Sequence, residues 1–172
     1  MTVSIDARDF ARLGRLIGSL PADIQRQAIA SATRRVGEMA RTAVVRRIAA
    51  DSGMRVGDVR AVTRMFASGD TATIAMKSGW WPLSKLGAAR QTRSGVTVRN
   101  WGAHRGAFVG KGQVFRRISA ARLPISMLWG PNPVAEVHQE PESYEAILAE
   151  VVATHLTPRV LHEVDRLLSR MT

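Results

Sequence analysis

The hydrophobic period of this chain changes twice, and that change limits the folds open to it. Between residues 22 and 50, apolar side chains recur every three to four positions, as on one face of an α-helix. Between about 62 and 130 they fall in short runs, and from about 142 to 170 the helical period returns. This order predicts an α+β fold. We expect N-terminal and C-terminal helices packed on a central, mostly antiparallel β-sheet or small barrel.

The length of 172 residues suits a single domain over residues 1–172. Its N-terminal part is predicted to hold two helices. Asp6 caps the first, over about 7–18, and the second runs over about 22–50. The apolar stripe of the second helix contains many small side chains, which predicts close packing against another helix or a sheet. The stripe residues are Ile24, Ala28, Ala32, Val36, Met39 and Ala43.

The middle of the chain, over about 62–130, predicts hairpins and short strands. Residues 62–67 and 71–77 are β-prone runs around a hairpin turn at Ser68-Gly69-Asp70, and residues 95–101 alternate like a half-buried strand. We expect residues 84–95 to form an exposed basic loop. Three further short strands are predicted at 107–109, 113–119 and 125–129.

The motif Gly-Pro-Asn-Pro at 130–133 ends the strand region, because proline cannot donate into a central ladder. The C-terminal helices follow over about 142–170. Pro158 either kinks this helical segment or begins a new helix in its first turn. One apolar stripe is Tyr144, Ile147, Leu148, Val151 and Val152, and the other is Val160, Leu161, Val164, Leu167, Leu168 and Met171.

Positive charge is concentrated in the middle of the chain. The sequence has 22 arginines and 3 lysines against 14 acidic residues, for a net charge of +11. Residues 71–135 contain ten cations and no carboxylate, whereas residues 136–172 have a net charge of −4. The basic stretch needs an acidic partner, which is nucleic acid, the acidic tail of a neighbouring subunit, or another protein. The acidic C-terminal segment also suits head-to-tail packing of identical subunits.

No residue pattern typical of catalysis, metal binding or cofactor binding occurs, so we expect no enzyme and no cofactor. The absence of cysteine excludes disulfides, thiolate zinc sites and cysteine nucleophiles. His155 and His162 lack the HExxH spacing of a zinc protease. Residues 71–135 have no carboxylate for acid–base chemistry, and no serine stands in a nucleophile-elbow context.

No apolar run approaches the roughly 18 to 20 residues that cross a bilayer. The first ten residues, MTVSIDARDF, lack the basic and apolar regions of a secretory signal. We therefore expect the protein to stay inside the cell that makes it and to have no membrane partner.

The stretch GAFVGKGQVFRR, at 106–117, has the glycines and lysine of a phosphate-binding loop but not their spacing. A P-loop has four residues between its glycines and a Ser or Thr hydroxyl after the lysine. Here three residues separate Gly106 from Gly110, and Gly112 follows Lys111. The same residues fit two strands joined by a tight turn. We predict a hairpin with Lys111 at its tip, within reach of phosphate or a partner.

Two sets of side chains are candidates for binding. Arginine grips phosphate and carboxylate groups with a planar fork, so the first set is expected to face DNA or an acidic neighbour. The alternative is that several of its members are solvated or paired with the acidic segment of an adjacent copy. This set is Arg90, Arg93, Arg105, Lys111, Arg116, Arg117 and Arg122. Large rings beside turns anchor partner subunits or form local core, and the second set is Trp80, Trp81 and Trp129.

Four segments, in this order, resemble the minor tail protein Z family, the tail completion proteins of long-tailed bacteriophages and related prophages. They are WPLSKLGAA (81–89), GVTVRNWG (95–102), GAFVGKGQVFRR (106–117) and ARLPISMLWGPNP (121–133). The resemblance covers roughly residues 25–135. One departure is the short link at 110–113, where more residues are expected between the two strands.

The resemblance implies a structural virion protein that is made in the cytoplasm of a host bacterium and lies in the neck region of the tail. There it would complete the tail, help to join it to the head and position the genome end. It also implies a ring-like homo-oligomer, a hexamer, beside tail terminator, tail tube or head–tail connector proteins, with non-specific contact to genomic DNA. It transfers no catalytic residue. The alternative is a free-standing basic nucleic-acid-binding protein.

Overall fold

The computed structural model describes Gly18 and residues 20–170. The helix predicted over about 7–18 lies outside the described residues except for Gly18, as does Met171. The chain divides into two compact units. The helical unit comprises Met1–Arg47, Arg60–Lys77 and Glu140–Thr172, and the β unit comprises Ile48–Val59 and Ser78–Gln139. The expected single domain stays a prediction.

The α+β class is confirmed. Within the described residues, helices flank a strand-rich region. Every strand pair there is antiparallel, in three small sheets with the orders β1-β2, β3-β4-β5 and β6-β7-β8. The helices are α1 (Ala22–Ser52), α2 (Val56–Val62), α3 (Leu83–Leu86), α4 (Pro133–Gln139) and α5 (Pro141–Leu168). The strands are β1 (Thr63–Ser68), β2 (Thr71–Met76), β3 (Ala89–Thr92), β4 (Gly95–Val98), β5 (Gly102–Arg105), β6 (Ala107–Gly110), β7 (Gln113–Arg117) and β8 (Ile125–Met127).

Small side chains bring the elements of the helical unit close together, as predicted. Helices α1 and α5 share one buried cluster, and the hairpin β1–β2 contacts α1 where the helix has Gly37. A Cβ on Gly37 would lie only 2.9 Å from Cβ of Ala72, so a larger residue would push the hairpin away. The shared cluster is Ala28, Ala32, Val36, Val152, Leu156, Val160 and Val164.

The buried stripe of α1 differs from the predicted one in its second half. Met39 and Ala43 are only half-buried, whereas Ala40 and Val44 are buried. The core residues keep a spacing of four from Ile24 onward. Because each such step advances by about 40° beyond a full turn, the stripe winds around the helix and meets different neighbours along its length.

Helix α5 continues through Pro158, so of the two alternatives predicted there, a kink or a new helix, the new helix is wrong. Pro158 is exposed, and Val160 beyond it is fully buried. Packing after the proline therefore holds the helix despite the hydrogen bond that proline removes. Leu161 and Leu168, both predicted to be in the apolar stripe, are 42% and 40% exposed.

The strand region contains more regular structure than predicted. The prediction of an exposed loop over 84–95 is wrong, because α3 and β3 occupy most of this segment. Leu83 and Leu86 of α3 are buried, and β3 pairs with β4 from Ala89 opposite Val98. The segment is rich in basic and polar residues, so it lacks the apolar pattern that would have predicted α3 and β3. Strand β5 and helix α4 were also not predicted, whereas the hairpins β1–β2 and β6–β7 are confirmed.

Candidate nucleic-acid and partner interface

All seven candidate cations belong to the β unit, and each of them is exposed. This unit has ten basic and three acidic side chains, for a net charge of +7. The net charge of the whole chain therefore comes mainly from one unit. The cations stand on two sheets and on the turns between their strands.

On the sheet β3-β4-β5, three arginines lie on or beside one exposed face. Arg90 pairs with Thr97, and Arg105 pairs with Gly95, so these side chains project from the same face of the sheet. Arg93 is in the two-residue turn that joins β3 to β4. Valines of β4 are buried on the opposite face. The register, rather than sequence proximity, places Arg90 and Arg105 on a common surface.

On the sheet β6-β7-β8, the cations are divided between the two faces. Arg116 and Arg117 are consecutive residues of β7, so their side chains point to opposite sides. The Arg117 guanidinium carbon lies 5.9 Å from the centre of the Phe108 ring, within the range of a cation–π contact. The rings of Phe108 and Phe115 stack at a centroid distance of 6.0 Å and are both half-buried. This face combines an aromatic pair with a cation.

Turns hold the remaining two cations of the set. Lys111 has φ of +47°, which is rare for a residue with a side chain, and Gly112 follows with φ of +75°. These two residues form the tight turn of the β6–β7 hairpin, as predicted, with the lysine exposed at its tip. Arg122 lies in the exposed loop between β7 and β8.

Within the described part of the chain, none of the seven cations forms an ion pair with a carboxylate. By contrast, ion pairs do join described residues of the helical unit. They are Arg26–Asp23, Arg41–Glu38, Arg47–Glu140 and Arg166–Glu163. The β unit thus presents positive charge that its own described carboxylates do not balance.

The three candidate tryptophans lie close together in the β unit. Trp129 stands opposite Pro82 in an antiparallel bridge, and the Gly130 N–H donates to the Trp81 carbonyl at 2.6 Å. Trp80 and Trp129 are 61% and 50% exposed, whereas Trp81 is half-buried. Two large exposed rings beside one backbone bridge form an apolar surface suited to a protein partner.

Asn132 holds the chain beside Trp80. Its Oδ1 accepts hydrogen bonds from the Gly79 N–H at 3.3 Å and the Val134 N–H at 3.1 Å, and its Nδ2 donates to Ser78 Oγ at 3.1 Å. The second of these bonds caps the start of α4. One side chain therefore joins the start of a helix to the segment that precedes the tryptophans.

We expect Asn132→Ala to destabilise the β unit by about 1 to 2 kcal/mol, because it removes a helix cap and two hydrogen bonds to the preceding segment. The emission maximum of tryptophan should also shift, since Trp80 loses its nearby anchor. Denaturant unfolding followed by tryptophan fluorescence measures both effects. Asn100→Gly, at a residue with φ of +68°, is the control, and it should leave the emission unchanged.

Three features of this interface were not predicted. Arg99, exposed after β4, belongs to the same basic region but was not among the candidates. The Phe108–Phe115 stack depends on strand register, which the sequence did not specify. Asn132, by contrast, had a recognisable signal: an Asn followed by a proline is typical of a cap and the first residue of a helix.

The described residues include no cluster of three or more His, Cys, Asp or Glu side chains that could hold a metal ion. Among the described helices, none is both long and apolar enough to cross a membrane. No family model, curated protein or solved structure matches this chain.

Proposed function

We propose that this protein is a structural component of the tail of a long-tailed phage, prophage or phage-like particle. In this proposal it completes the tail at its neck end and assists tail–head joining and genome-end positioning. The observation that carries the proposal is the set of seven exposed cations on the β unit, which have no carboxylate partner within the described residues. The order of motifs that resembles the minor tail protein Z family supports the same role.

The arrangement of the cations favours contact with DNA phosphates rather than base recognition. They lie on short strands and turns of two sheets, spread over the β unit. Arginine forks on such a surface attract the phosphate backbone of any duplex sequence. A protein beside the genome end needs such sequence-independent attraction, because the DNA has to pass or rest without being held at one site.

The proposed partners follow from the two kinds of surface. The cations face genomic DNA or acidic neighbours, and the surface at Trp80 and Trp129 faces another protein. Those neighbours are further copies of this chain in a ring and the tail terminator, tail tube or connector proteins. The role is assembly rather than turnover, and the protein is proposed to act in the virion.

The second candidate is a free-standing basic nucleic-acid-binding protein. The stacked Phe108–Phe115 pair with Arg117 above it favours this interpretation, because aromatic and cationic groups together bind single strands. This candidate predicts a monomer or dimer and tight binding to single-stranded nucleic acid. The structural role predicts larger assemblies and recruitment by tail proteins.

Purified protein should bind duplex DNA with an affinity that falls steeply with salt. We expect Arg90→Gln, Arg93→Gln and Arg105→Gln together to reduce the slope of log K against log salt by about 0.9 for each phosphate that the variant no longer neutralises. The matched control is Arg34→Gln, Arg60→Gln and Arg64→Gln, which removes three exposed arginines of the helical unit. If log K falls with log salt at the same slope in both triple variants, the proposed DNA contact of these three arginines is wrong.

Tail assembly tests the structural role separately. A phage whose own completion protein is this chain should yield unfinished tails when Arg90, Arg93 and Arg105 are changed to Glu, while the control triple, changed to Glu, should complete them. Electron microscopy of particles and mass measurement of assemblies with and without tail tubes provide the measurement. Completed tails with all of these arginines reversed would contradict the role that we assign to this surface.

A further inference from the structure

A groove between α1 and α5 in the helical unit combines basic sides with an apolar floor. Met39, Ala43 and Val151 line the groove and are all half-buried, and we call these three residues its apolar floor. Arg35, Arg46 and Arg159 are the arginines that line it. All of these residues belong to the helical unit, so the groove is a feature of that unit alone.

The arginines of this groove have no carboxylate partner within the described residues. Glu38, which also lines the groove, is engaged by Arg41 at 3.0 Å. Arg35 and Arg46 are exposed, although they interrupt an otherwise apolar side of α1. The groove therefore carries uncompensated positive charge next to apolar surface, which fits a partner that is both acidic and partly apolar.

The outward face of the first half of α5 has this complementary chemistry. It carries exposed glutamates at 142, 145 and 150. Exposed alanines at 146 and 149, between the glutamates, and at 153, just beyond them, lie on the same side of the helix. Within the described residues none of these glutamates forms an ion pair, whereas Glu140 just before the helix is engaged by Arg47.

We propose that the acidic face of α5 in one copy docks into the α1–α5 groove of a second copy. The alanines allow a helix to approach the floor at Met39, Ala43 and Val151 closely, and the glutamates then reach the arginine forks at the sides. The contact is heterologous, because the groove and the acidic face are different surfaces of one chain. Such a contact builds a ring or a filament. This inference deepens the proposed function, on which it rests, by assigning the contact within the ring.

The apolar floor distinguishes a second copy from DNA as the occupant. A phosphate backbone would satisfy Arg35, Arg46 and Arg159 but would leave Met39 and Val151 against a charged chain. A helix with alanines between glutamates satisfies both parts of the groove. The opposite charges of the groove and the acidic face also determine which surfaces meet, since two grooves or two acidic faces repel each other.

Analytical ultracentrifugation of the purified, nuclease-treated full chain tests this contact. Wild-type protein should self-associate, more strongly at low salt than at high salt. We expect the groove variant, Arg35→Glu with Arg46→Glu, to weaken self-association by at least about tenfold, because both surfaces are then acidic. The face variant, Glu145→Arg with Glu150→Arg, should weaken it similarly, because both surfaces are then basic.

Mixing the two variants should restore assembly, because each reversed surface then meets a complementary one. The matched control is Arg34→Glu with Arg60→Glu, which changes the net charge by the same amount outside the groove and should associate like wild type. Circular dichroism confirms that each variant is folded. A monomeric wild type, a mixture that stays dissociated, or equal weakening by the control would overturn the proposal.

The sample contains no DNA and no tail protein, so the result is separate from the tests of the proposed function. Absence of salt-dependent DNA binding by the β-unit arginines with intact self-association contradicts the DNA contact alone. Self-association that neither the groove variant nor the face variant weakens contradicts the groove contact alone, whereas a monomeric chain that still binds DNA favours the free-standing nucleic-acid-binding protein.

Discussion

Gly95→Ala is expected to destabilise the β unit by about 3 kcal/mol, because the paired strand leaves no space for the added methyl group. A Cβ on Gly95 would overlap the carbonyl oxygen of His104 and lie 3.0 Å from Cα of Arg105. Both neighbours are backbone atoms of the paired strand β5, so no side-chain rotation relieves the overlap. Strands β4 and β5 would have to separate, which would disrupt the face that presents Arg90 and Arg105.

The measurement is denaturant unfolding followed by tryptophan fluorescence. All four tryptophans of the chain lie within 78–139, so this signal reports on the β unit. Gly79→Ala is the matched control, because a Cβ there has no neighbour within 4 Å and the variant should unfold near the wild-type midpoint. An unchanged midpoint for Gly95→Ala would mean that the β4–β5 pairing is not as described.

Leu156→Ala is the second change with a large expected effect, a decrease of about 3 kcal/mol in the stability of the helical unit. Leu156 is 1% exposed and packs in the cluster that α1 and α5 share. Its partners on α1 are mostly alanines, which are too small to fill the cavity that the truncation leaves. The weaker packing and the cavity both raise the free energy of the folded state.

Far-UV circular dichroism follows this unfolding, because α1 and α5 provide most of the helix. Leu161→Ala on the same helix removes an equal volume from a side chain that is 42% exposed, and it should cost less than about 1 kcal/mol. Equal destabilisation by the two variants would contradict the assignment of Leu156 to the core. Self-association should also weaken in Leu156→Ala, since the groove between the two helices depends on their packing.

Sequence patterning predicted the long helices and two of the hairpins but missed several of the shortest elements. The 31 residues of α1 repeat their apolar period many times, so chance deviations such as Arg35 do not conceal the helix. Helix α3 has only four residues, and β3 has four with one half-buried side chain, so neither is long enough to show a period. Their formation depends on neighbours: Leu83 and Leu86 are buried, and β3 pairs with β4.

The candidate site, too, was predicted from the sequence only in part. The absence of carboxylates from 71–135 identified the basic region directly, and all seven predicted cations are exposed. The placement of Arg90 and Arg105 on one sheet face, and of Arg117 over Phe108, depends on register. A shift of one residue would move every side chain of a strand to the other face, and no local pattern in these short strands specifies against it.

The sequence by itself determined the class of the fold, the position of the long helices and the concentration of charge in the middle third. These properties follow from the hydrophobic period and the composition of each segment, so they do not depend on how the elements pack together. Only the tertiary structure decided which cations share a surface, that α1 and α5 enclose a basic groove, and that the glutamates of α5 face outward. Those features join residues far apart in the chain, and their positions depend on packing and strand pairing that no single segment encodes.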